Sequence, residues 1–485
     1  MKTVKKTVDR RADRSERLAG GFGPYAAKQD PEALLRRAVL ANLLWEDLFY
    51  QSGEEVAKQI SKLVREVDPQ RVFDIAVEAR FDQKLRHVPL FIAREMAALY
   101  SHKNLVSSLL PRVVHRADEL AEFMALYWKD GKCPLSKQVK KGLASAFSKF
   151  DEYQLAKYNR DADVRLRDVM FMCHCKPKDG SGNTKEDRRK GIFDPAGELF
   201  RKLAENSLQV PDTWEVALST GKDKKETWIR LISEGKLGAV AFMRNLRNME
   251  EVYVPDKVIE SGFANINPGW LLPLNYLGAV KHAPKWKASI EKLMLRGLAN
   301  APKLHGRSIF VIDVSGSMSA MVSAKSSFNR LDAGAAMAIL AREMCEDVSV
   351  YATAGSDGRR LHQTQKIPSI RGFDLFDSII TASHRLGGGG IFTRQCLEYI
   401  KEQEKETPDR IIVFSDSQDC DRPGKQIPSP FGKRNYIVDV NAHTRGINYE
   451  GIWTAEISGW SQHFLKFIAA IEGVSITDQD EVDNN

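Results

Sequence analysis

The spacing of apolar residues changes once along this 485-residue chain, near Ala301-Pro302-Lys303. Before that point, apolar residues recur about every 3.6 positions, the period of an amphipathic helix. After it, short continuous apolar runs such as Ser308–Asp313 and Arg410–Phe414 alternate with helical segments such as Leu331–Cys345. Such runs are typical of a parallel sheet that helices cover on both faces. The sequence therefore predicts a multidomain protein, with an all-α region followed by a doubly wound α/β domain.

For the all-α region, the sequence predicts a series of helices joined by short connections. Asp68-Pro69 places a capping residue before a first-turn proline, and Ser52-Gly53-Glu54-Glu55 has the pattern of a capping box. A long run of helical pairs favours a HEAT-like solenoid with a degenerate repeat. The predicted helices are 34–50, 56–67, 72–79, 89–100, 105–114, 120–128, 135–150, 196–208 and a continuous helix 228–249.

Charge divides along the same boundary. Residues 1–303 carry a net charge of +13 and residues 304–485 a net charge of −5. Residues 131–190 alone contain 15 basic and 8 acidic side chains, a concentration that favours a polyanionic partner such as nucleic acid. We therefore expect a basic flexible arm over residues 1–20, a helical domain over 21–303, an α/β domain over 304–475 and an acidic tail over 476–485.

Two further features concern the compartment. No uncharged apolar run approaches the length of about 18 residues that a membrane-spanning helix needs, and the N-terminus has no apolar segment typical of a signal peptide. The six cysteines are too few and too scattered for a disulfide framework. These features predict a cytoplasmic protein without a membrane partner.

Side chains that carry oxygen atoms occur at three places in the α/β domain: two lie directly after predicted strands, and one lies in a connection between strands. Asp313, Ser315 and Ser317 come directly after the first strand, Thr393 follows the run Gly387–Gly390, and Asp416 follows a later strand. In a doubly wound sheet, ligands bind at the carboxyl ends of the strands. Five hard oxygen donors suit Mg²⁺, with Mn²⁺ or Ca²⁺ as alternatives, and do not suit zinc or copper.

This set resembles the metal-ion-dependent adhesion site of the von Willebrand factor A domain, which has Asp-x-Ser-x-Ser, then Thr, then Asp. Other chemistries match less well. Gly316-Ser317-Met318 lacks the Gly-Lys-Ser/Thr ending of a P-loop, and Val314-Ser315-Gly316 lacks the Gly-x-Ser-x-Gly elbow of a hydrolase. His384 and Cys396 flank the glycine run and are interpreted as structural residues.

The basic segment begins with a predicted amphipathic helix. Lys137, Lys140 and Lys141 share one face of it, opposite an apolar face. Further basic residues follow, interleaved with Tyr158 and His174, a combination that suits phosphate neutralisation and base stacking on unpaired strands. Cys173-His174-Cys175 has no second cysteine pair at ligand spacing, so a metal site there is disfavoured.

Several stretches resemble the TROVE module, namely 135–143, 150–158, 166–169 followed by 174–178, and 237–249. A TROVE module followed by a von Willebrand factor A domain is the layout of the Ro autoantigen family, including its bacterial and phage relatives. The resemblance implies a ring of HEAT-like helices closed by the A domain, a monomer that binds Y RNA on a basic outer surface and single-stranded 3′ ends of misfolded RNA in a central hole. It further implies RNA-tethered association with polynucleotide phosphorylase.

By position, thirteen residues are candidates for RNA contact: Lys137, Lys140, Lys141, Lys157, Arg165, Arg167, His174, Lys176, Lys178, Arg188, Arg189, Arg244 and Arg247. The leading hypothesis is a non-catalytic RNA-binding ribonucleoprotein scaffold in RNA quality control. The alternative is an adhesion- or chelatase-like A-domain protein that grips a protein ligand through its metal. A nuclease is disfavoured, because the sequence shows no cluster of carboxylates for two-metal chemistry.

Overall fold

The fold is described from a computed structural model. The structure describes residues 31–40, 53–82, 84–159, 161–175, 195–219, 223–299, 301, 303–322, 326–386, 388–421, 429–440, 452–459 and 463–474. No helix in these ranges is both long and apolar enough to cross a bilayer. The predicted basic arm and acidic tail lie outside the described residues.

Sixteen α-helices precede the first strand within the described ranges. They are α1 Pro31–Leu40, α2 Gly53–Glu66, α3 Pro69–Phe81, α4 His87–Ala98, α5 Val106–Val113, α6 Asp118–Tyr127, α7 Lys137–Phe147, α8 Glu152–Tyr158, α9 Leu166–Met172, α10 Pro195–Glu205, α11 Trp214–Ser219, α12 Lys224–Ser233, α13 Ala239–Glu251, α14 Asp256–Asn265, α15 Pro273–His282 and α16 Lys287–Gly297.

Local sequence explains where these helices begin and end. Asp68 caps α3 as predicted, since its carboxylate accepts hydrogen bonds from the backbone N–H groups of Gln70 and Arg71 at 2.9 and 3.3 Å. The prediction of one continuous helix over residues 228–249 is wrong. Gly235 has a φ of +64°, and the chain turns there between α12 and α13. A left-handed glycine just past a helix end is a common stop signal.

The remainder of the chain forms a six-stranded sheet with helices. Its elements are β1 Leu304–Asp313, α17 Arg330–Met344, β2 Cys345–Ser356, β3 Leu361–Ile367, α18 Gly372–Leu386, α19 Thr393–Gln403, β4 Arg410–Ser415, β5 Arg434–Asp439, β6 Ala455–Ser458 and α20 His463–Ile471. The strand order is β3-β2-β1-β4-β5-β6. Helices followed by a doubly wound α/β sheet confirm the predicted fold class.

The expectation of a wholly parallel sheet is wrong at one edge. β3 pairs antiparallel with β2, whereas the other described pairings are parallel. An antiparallel partner follows a short turn, while a parallel one needs a crossover of a dozen or more residues. Only four residues separate β2 from β3. The mixed sheet therefore follows from the length of this connection.

The central strands form the core of this sheet. All six residues of β4 are buried, and the Phe310 and Phe414 rings of neighbouring strands meet edge to face, with centroids 5.8 Å apart. Burial on both faces explains the continuous apolar runs in the sequence. Cys396, on α19, packs into the same core and is buried, which agrees with its interpretation as a structural residue.

The chain forms two compact units. One contains the described residues within 1–56, 238–250 and 259–485, and therefore the whole sheet together with α15 and α16. The other contains the described residues within 57–237 and 251–258, and therefore α3 to α12.

Candidate metal centre and nucleic-acid interface

Three loops converge where the strand order reverses, between β1 and β4. Ile312 lies opposite Phe414 in this pair, so the loops that follow the two strands start side by side. The Gly316 N–H donates to the Gly389 carbonyl at 3.1 Å, which ties the β1 loop to the glycine run. The Cys420 N–H donates to the Ile391 carbonyl at 2.8 Å, which ties that run to the β4 loop. This reversal point is the usual ligand site of doubly wound sheets.

The side chains predicted to ligate a metal are linked by a chain of hydrogen bonds. The Asp313 carboxylate accepts the Ser315 backbone N–H at 2.9 Å. The hydroxyl oxygens of Ser315 and Ser317 are 3.1 Å apart, and the Ser317 hydroxyl donates to Asp416 Oδ1 at 3.2 Å. The structure thus brings these four predicted residues into one cluster of oxygen atoms.

Thr393, the fifth predicted ligand, begins helix α19 and is 2 % exposed. Its backbone N–H donates to Asp419 Oδ1 at 3.3 Å, which attaches the start of this helix to the β4 loop. Its hydroxyl oxygen has no hydrogen-bond partner among the described residues. A buried hydroxyl without a partner costs free energy, so this oxygen fits a ligand supplied from outside the protein.

The electrostatics of the cluster also favour a cation. Asp313 and Asp416 are both fully buried. Burial, reinforced by the Asp416 charge, raises the pKa of Asp313 to about 7, and burial also raises the pKa of Asp416. Two buried carboxylates in one cluster repel each other and are stabilised by a cation. The donors, two carboxylates and three hydroxyls, are the hard oxygens that Mg²⁺, Mn²⁺ and Ca²⁺ prefer.

The structure adds residues to this cluster that sequence reasoning missed. The Ser415 hydroxyl donates to Asp313 Oδ2 at 2.5 Å, and the Arg330 guanidinium donates to Asp416 Oδ2 at 2.8 Å. Ser415 is adjacent to the predicted Asp416, so its position at the end of β4 was a usable signal. Arg330 is separated from Asp416 by 86 residues and could not be assigned from local sequence.

A second candidate surface lies on α7, in the other compact unit. Val139, Leu143 and Phe147 form its buried face, and Gly142 lets the helix approach α5 closely: a Cβ there would lie 2.9 Å from Leu110 Cδ1. On the opposite side Lys137 and Lys141 are exposed and Lys140 is half-buried, as predicted. None of the described residues forms a salt bridge with any of these three lysines, and Lys137 and Lys141 are open to solvent.

His174 lies just beyond the end of α9, with a φ of +53°. The Cys175 N–H donates to the Met170 carbonyl at 3.0 Å, a bond that closes the helix end and leaves His174 exposed. Helix α9 packs against α7, and the nearby Lys140 charge partly opposes the rise that burial causes in the pKa of the Cys173 thiol. The end of α9 therefore adjoins the lysine face of α7.

The two cysteines beside His174 have a structural explanation. Cys173 is buried and Cys175 half-buried. Burial raises the pKa of the two thiols to about 11 and about 12. Burial therefore keeps both thiols weakly reactive, as expected of structural cysteines. In the described parts of the chain, no three His, Cys, Asp or Glu side chains form a group that could hold a metal. A metal at the strand ends would accordingly depend on the three hydroxyls.

The remaining candidates for RNA contact differ in setting. Lys157 and Arg167 are half-buried, and Arg165 pairs with Asp161. Arg244 and Arg247 are exposed on α13, in the compact unit that contains the sheet. Lys176, Lys178, Arg188 and Arg189 lie outside the described residues. Sequence reasoning missed Phe171, a 59 % exposed aromatic on α9.

These observations define a class of protein: a run of helices with a basic face, followed by a doubly wound α/β sheet with an oxygen cluster at its strand ends. Residues 205–261 match the TROVE domain family. The chain is also similar to the crystal structure of the Ro (RSR) protein of Deinococcus radiodurans, with a TM-score of 0.54 and 16% sequence identity, over 92% of this chain and 100% of that one. The predicted resemblance to the Ro family is thus confirmed in a TROVE segment and in the fold.

Proposed function

We propose that this protein is a non-catalytic RNA-binding scaffold of a ribonucleoprotein that acts in cytoplasmic RNA quality control. Y RNA would bind a basic outer surface, and single-stranded 3′ ends of misfolded RNA would enter the hole of a monomeric ring. Polynucleotide phosphorylase would be a partner tethered by RNA. The observation that carries the proposal is the lysine face of α7, on which Lys137 and Lys141 are exposed, beside the exposed His174, in a chain with a TROVE segment and the Ro-protein fold.

The chemistry of this surface suits unpaired RNA. Lysine ammonium groups without described carboxylate partners are available to phosphates, and each phosphate contact releases counterions. His174 and Phe171 are exposed on and just beyond α9, and flat rings of this kind stack on unpaired bases. Phosphate contacts would supply affinity, while the rings would favour single strands over duplexes.

The test is a paired charge reversal. K137E together with K141E alters the lysine face of α7, whereas K257E together with K292E makes the same charge change at two exposed lysines on α14 and α16. Filter binding to a hairpin with a single-stranded 3′ tail should show a loss of at least tenfold for the α7 pair. The slope of log affinity against log salt should flatten by roughly 1.4 to 1.8, the value for two phosphate contacts. Equal losses in both pairs would contradict a specific surface.

His174 is tested separately. We choose His174→Asn, because asparagine tolerates the left-handed backbone of this position and the helix end is preserved. The variant should bind the single-stranded tail less tightly and leave duplex binding unchanged. Equal losses on both RNAs would assign His174 a structural role.

We further propose that Asp313, Ser315, Ser317, Thr393 and Asp416 hold one divalent cation, Mg²⁺ in the first place, with Mn²⁺ or Ca²⁺ as alternatives, in a von Willebrand factor A-type adhesion site. The Thr393 hydroxyl, which has no hydrogen-bond partner in the described parts of the chain, and the two buried carboxylates support this assignment. Mg²⁺ should raise the melting temperature of the wild type and not that of Asp313→Ala. Identical wild-type melting with and without Mg²⁺ would refute the site.

The mostly neutral donor set favours a second candidate function, the capture of a carboxylate of a protein ligand by the bound ion. The two functions differ in their response to chelation. RNA binding through the α7 lysines should persist in EDTA, whereas capture of a protein through the ion should be abolished.

A further inference from the structure

Arg330 places a positive charge inside the proposed metal cluster. The residue is 2 % exposed, and its guanidinium donates to Asp416 Oδ2 at 2.8 Å. The other oxygen of the same carboxylate, Oδ1, accepts from Ser317. Asp416 therefore contacts the proposed ligand Ser317 through Oδ1, while Oδ2 accepts from the internal cation and from the Gln418 side-chain amide at 3.0 Å.

The first turn of α17 holds Arg330 in this position. Asn329 and Asp332 cap the helix reciprocally, through bonds of 2.7 and 3.0 Å between side chain and backbone. The Arg330 backbone N–H donates to the Ala320 carbonyl at 3.0 Å, just beyond the β1 loop. These bonds fix the backbone at Arg330, and the enclosed position of its side chain, only 3 % exposed, shows that the contact with Asp416 is not a chance rotamer of a surface side chain.

The charge has a direct electrostatic consequence. Asp313 and Asp416 together carry two negative charges when ionised, and Arg330 offsets one of them. A divalent cation at the hydroxyls would meet a net charge of −1 instead of −2, and it would also be repelled by the guanidinium. Both effects are strong in a buried, low-dielectric cluster.

We propose that Arg330 is a built-in counter-cation of Asp416 that keeps the α/β domain folded without metal and weakens divalent-cation binding at the proposed site. The inference rests on the metal site proposed above. The site would bind its ion weakly and release it readily, because an internal charge already stabilises the Asp416 carboxylate that the ion would contact.

The experiment measures the dissociation constants of Mg²⁺ and Mn²⁺ by titration calorimetry, and melting temperatures with and without metal. Arg330→Gln removes the charge and retains a donor for Asp416. Arg330→Lys keeps the charge but as a flexible ammonium that is held less firmly. Arg342→Gln, at a 7 % exposed arginine on the same helix that donates to the Cys345 carbonyl, is the matched control.

R330Q should bind metal at least tenfold more tightly than the wild type, melt at a lower temperature without metal, and gain more from metal. R330K should lie between the two, and R342Q should bind like the wild type. An affinity of R330Q equal to or weaker than that of the wild type would overturn the proposal. If R330Q does not fold, R330K is used in its place. Metal binding by R330K that is no tighter than that of the wild type would then overturn the proposal.

The two proposals fail differently. Metal binding by the wild type that is insensitive to Arg330 would refute the counter-cation and leave the metal site intact. Absence of binding in the wild type and in every variant would refute the metal site and the counter-cation together. Metal binding by R330Q, with no binding by the wild type, would support the counter-cation and show that Arg330 prevents metal binding.

Discussion

Gly316 offers a sharp test of how the candidate metal centre is assembled. A Cβ at this position would lie 2.4 Å from the Gly388 carbonyl oxygen, 1.0 Å inside the 3.4 Å limit of ordinary contact. The obstacle is backbone, which cannot rotate away as a flexible side chain would. Overpacking of this kind costs about 1–3 kcal/mol. Gly316→Ala also endangers the hydrogen bond to Gly389, worth about 1 kcal/mol.

We therefore expect Gly316→Ala to destabilise the α/β domain by about 3 kcal/mol. Such a loss corresponds to a fall in melting temperature of roughly 6–12 °C for a domain of this size. Gly358→Ala is the control, because its Cβ would meet no atom within 4 Å. Thermal unfolding of both variants, with and without Mg²⁺, gives the comparison. Equal melting temperatures for the two variants would show that the β1 loop and the glycine run are not closely packed.

Three further predictions concern the helical unit. Glu119→Gln should lower the free energy of unfolding in urea by about 3–5 kcal/mol, because it removes the fully buried carboxylate whose Oε1 lies 2.9 Å from Arg80 Nη2. A loss below about 1 kcal/mol would contradict this prediction. Burial, together with Arg80, lowers the pKa of His115 to about 4. Between about pH 6.5 and pH 4 the unfolded chain therefore binds a proton that the folded chain does not. The free energy of unfolding should decrease as the pH is lowered through this range, and the decrease should be less steep in His115→Gln. A thiol reagent at pH 8 should label the exposed Cys133 well before Cys175, because the pKa of the Cys175 thiol is about 12. Labelling is measured by mass spectrometry, and equal rates for the two cysteines would contradict the burial of the α9 end.

The sequence predicted the regular elements well where burial leaves a periodic pattern. The helix Leu331–Cys345 corresponds to α17, Arg330–Met344, and the apolar run Ser308–Asp313 lies within β1. Two short strands were missed. β3 has five consecutive polar residues, 362–366, at an edge of the sheet, and β6 has only four residues. Neither contains the continuous apolar run that marks a strand buried on both faces.

The candidate metal centre was predictable because its chemistry is local in sequence. Asp313, Ser315 and Ser317 are spaced along one turn, and Asp416 follows a recognisable strand. By contrast, the pairing of Arg330 with Asp416 depends on how the three loops pack, and so does the lack of a partner for the Thr393 hydroxyl among the residues that the structure describes. Contacts between residues separated by tens of positions carry no periodic signal in a single sequence.

The amino-acid sequence by itself determined the order of helices and strands, the basic character of the helical region and the oxygen donors that follow the strands. These properties depend on side-chain chemistry and on short-range periodicity, which any unfolded copy of the chain also carries. The tertiary structure decided which donors share one cluster, that an arginine is buried with them, and that His174 projects from a closed helix end beside the α7 lysines. Those outcomes depend on strand order and helix packing, which bring together residues that are distant along the chain.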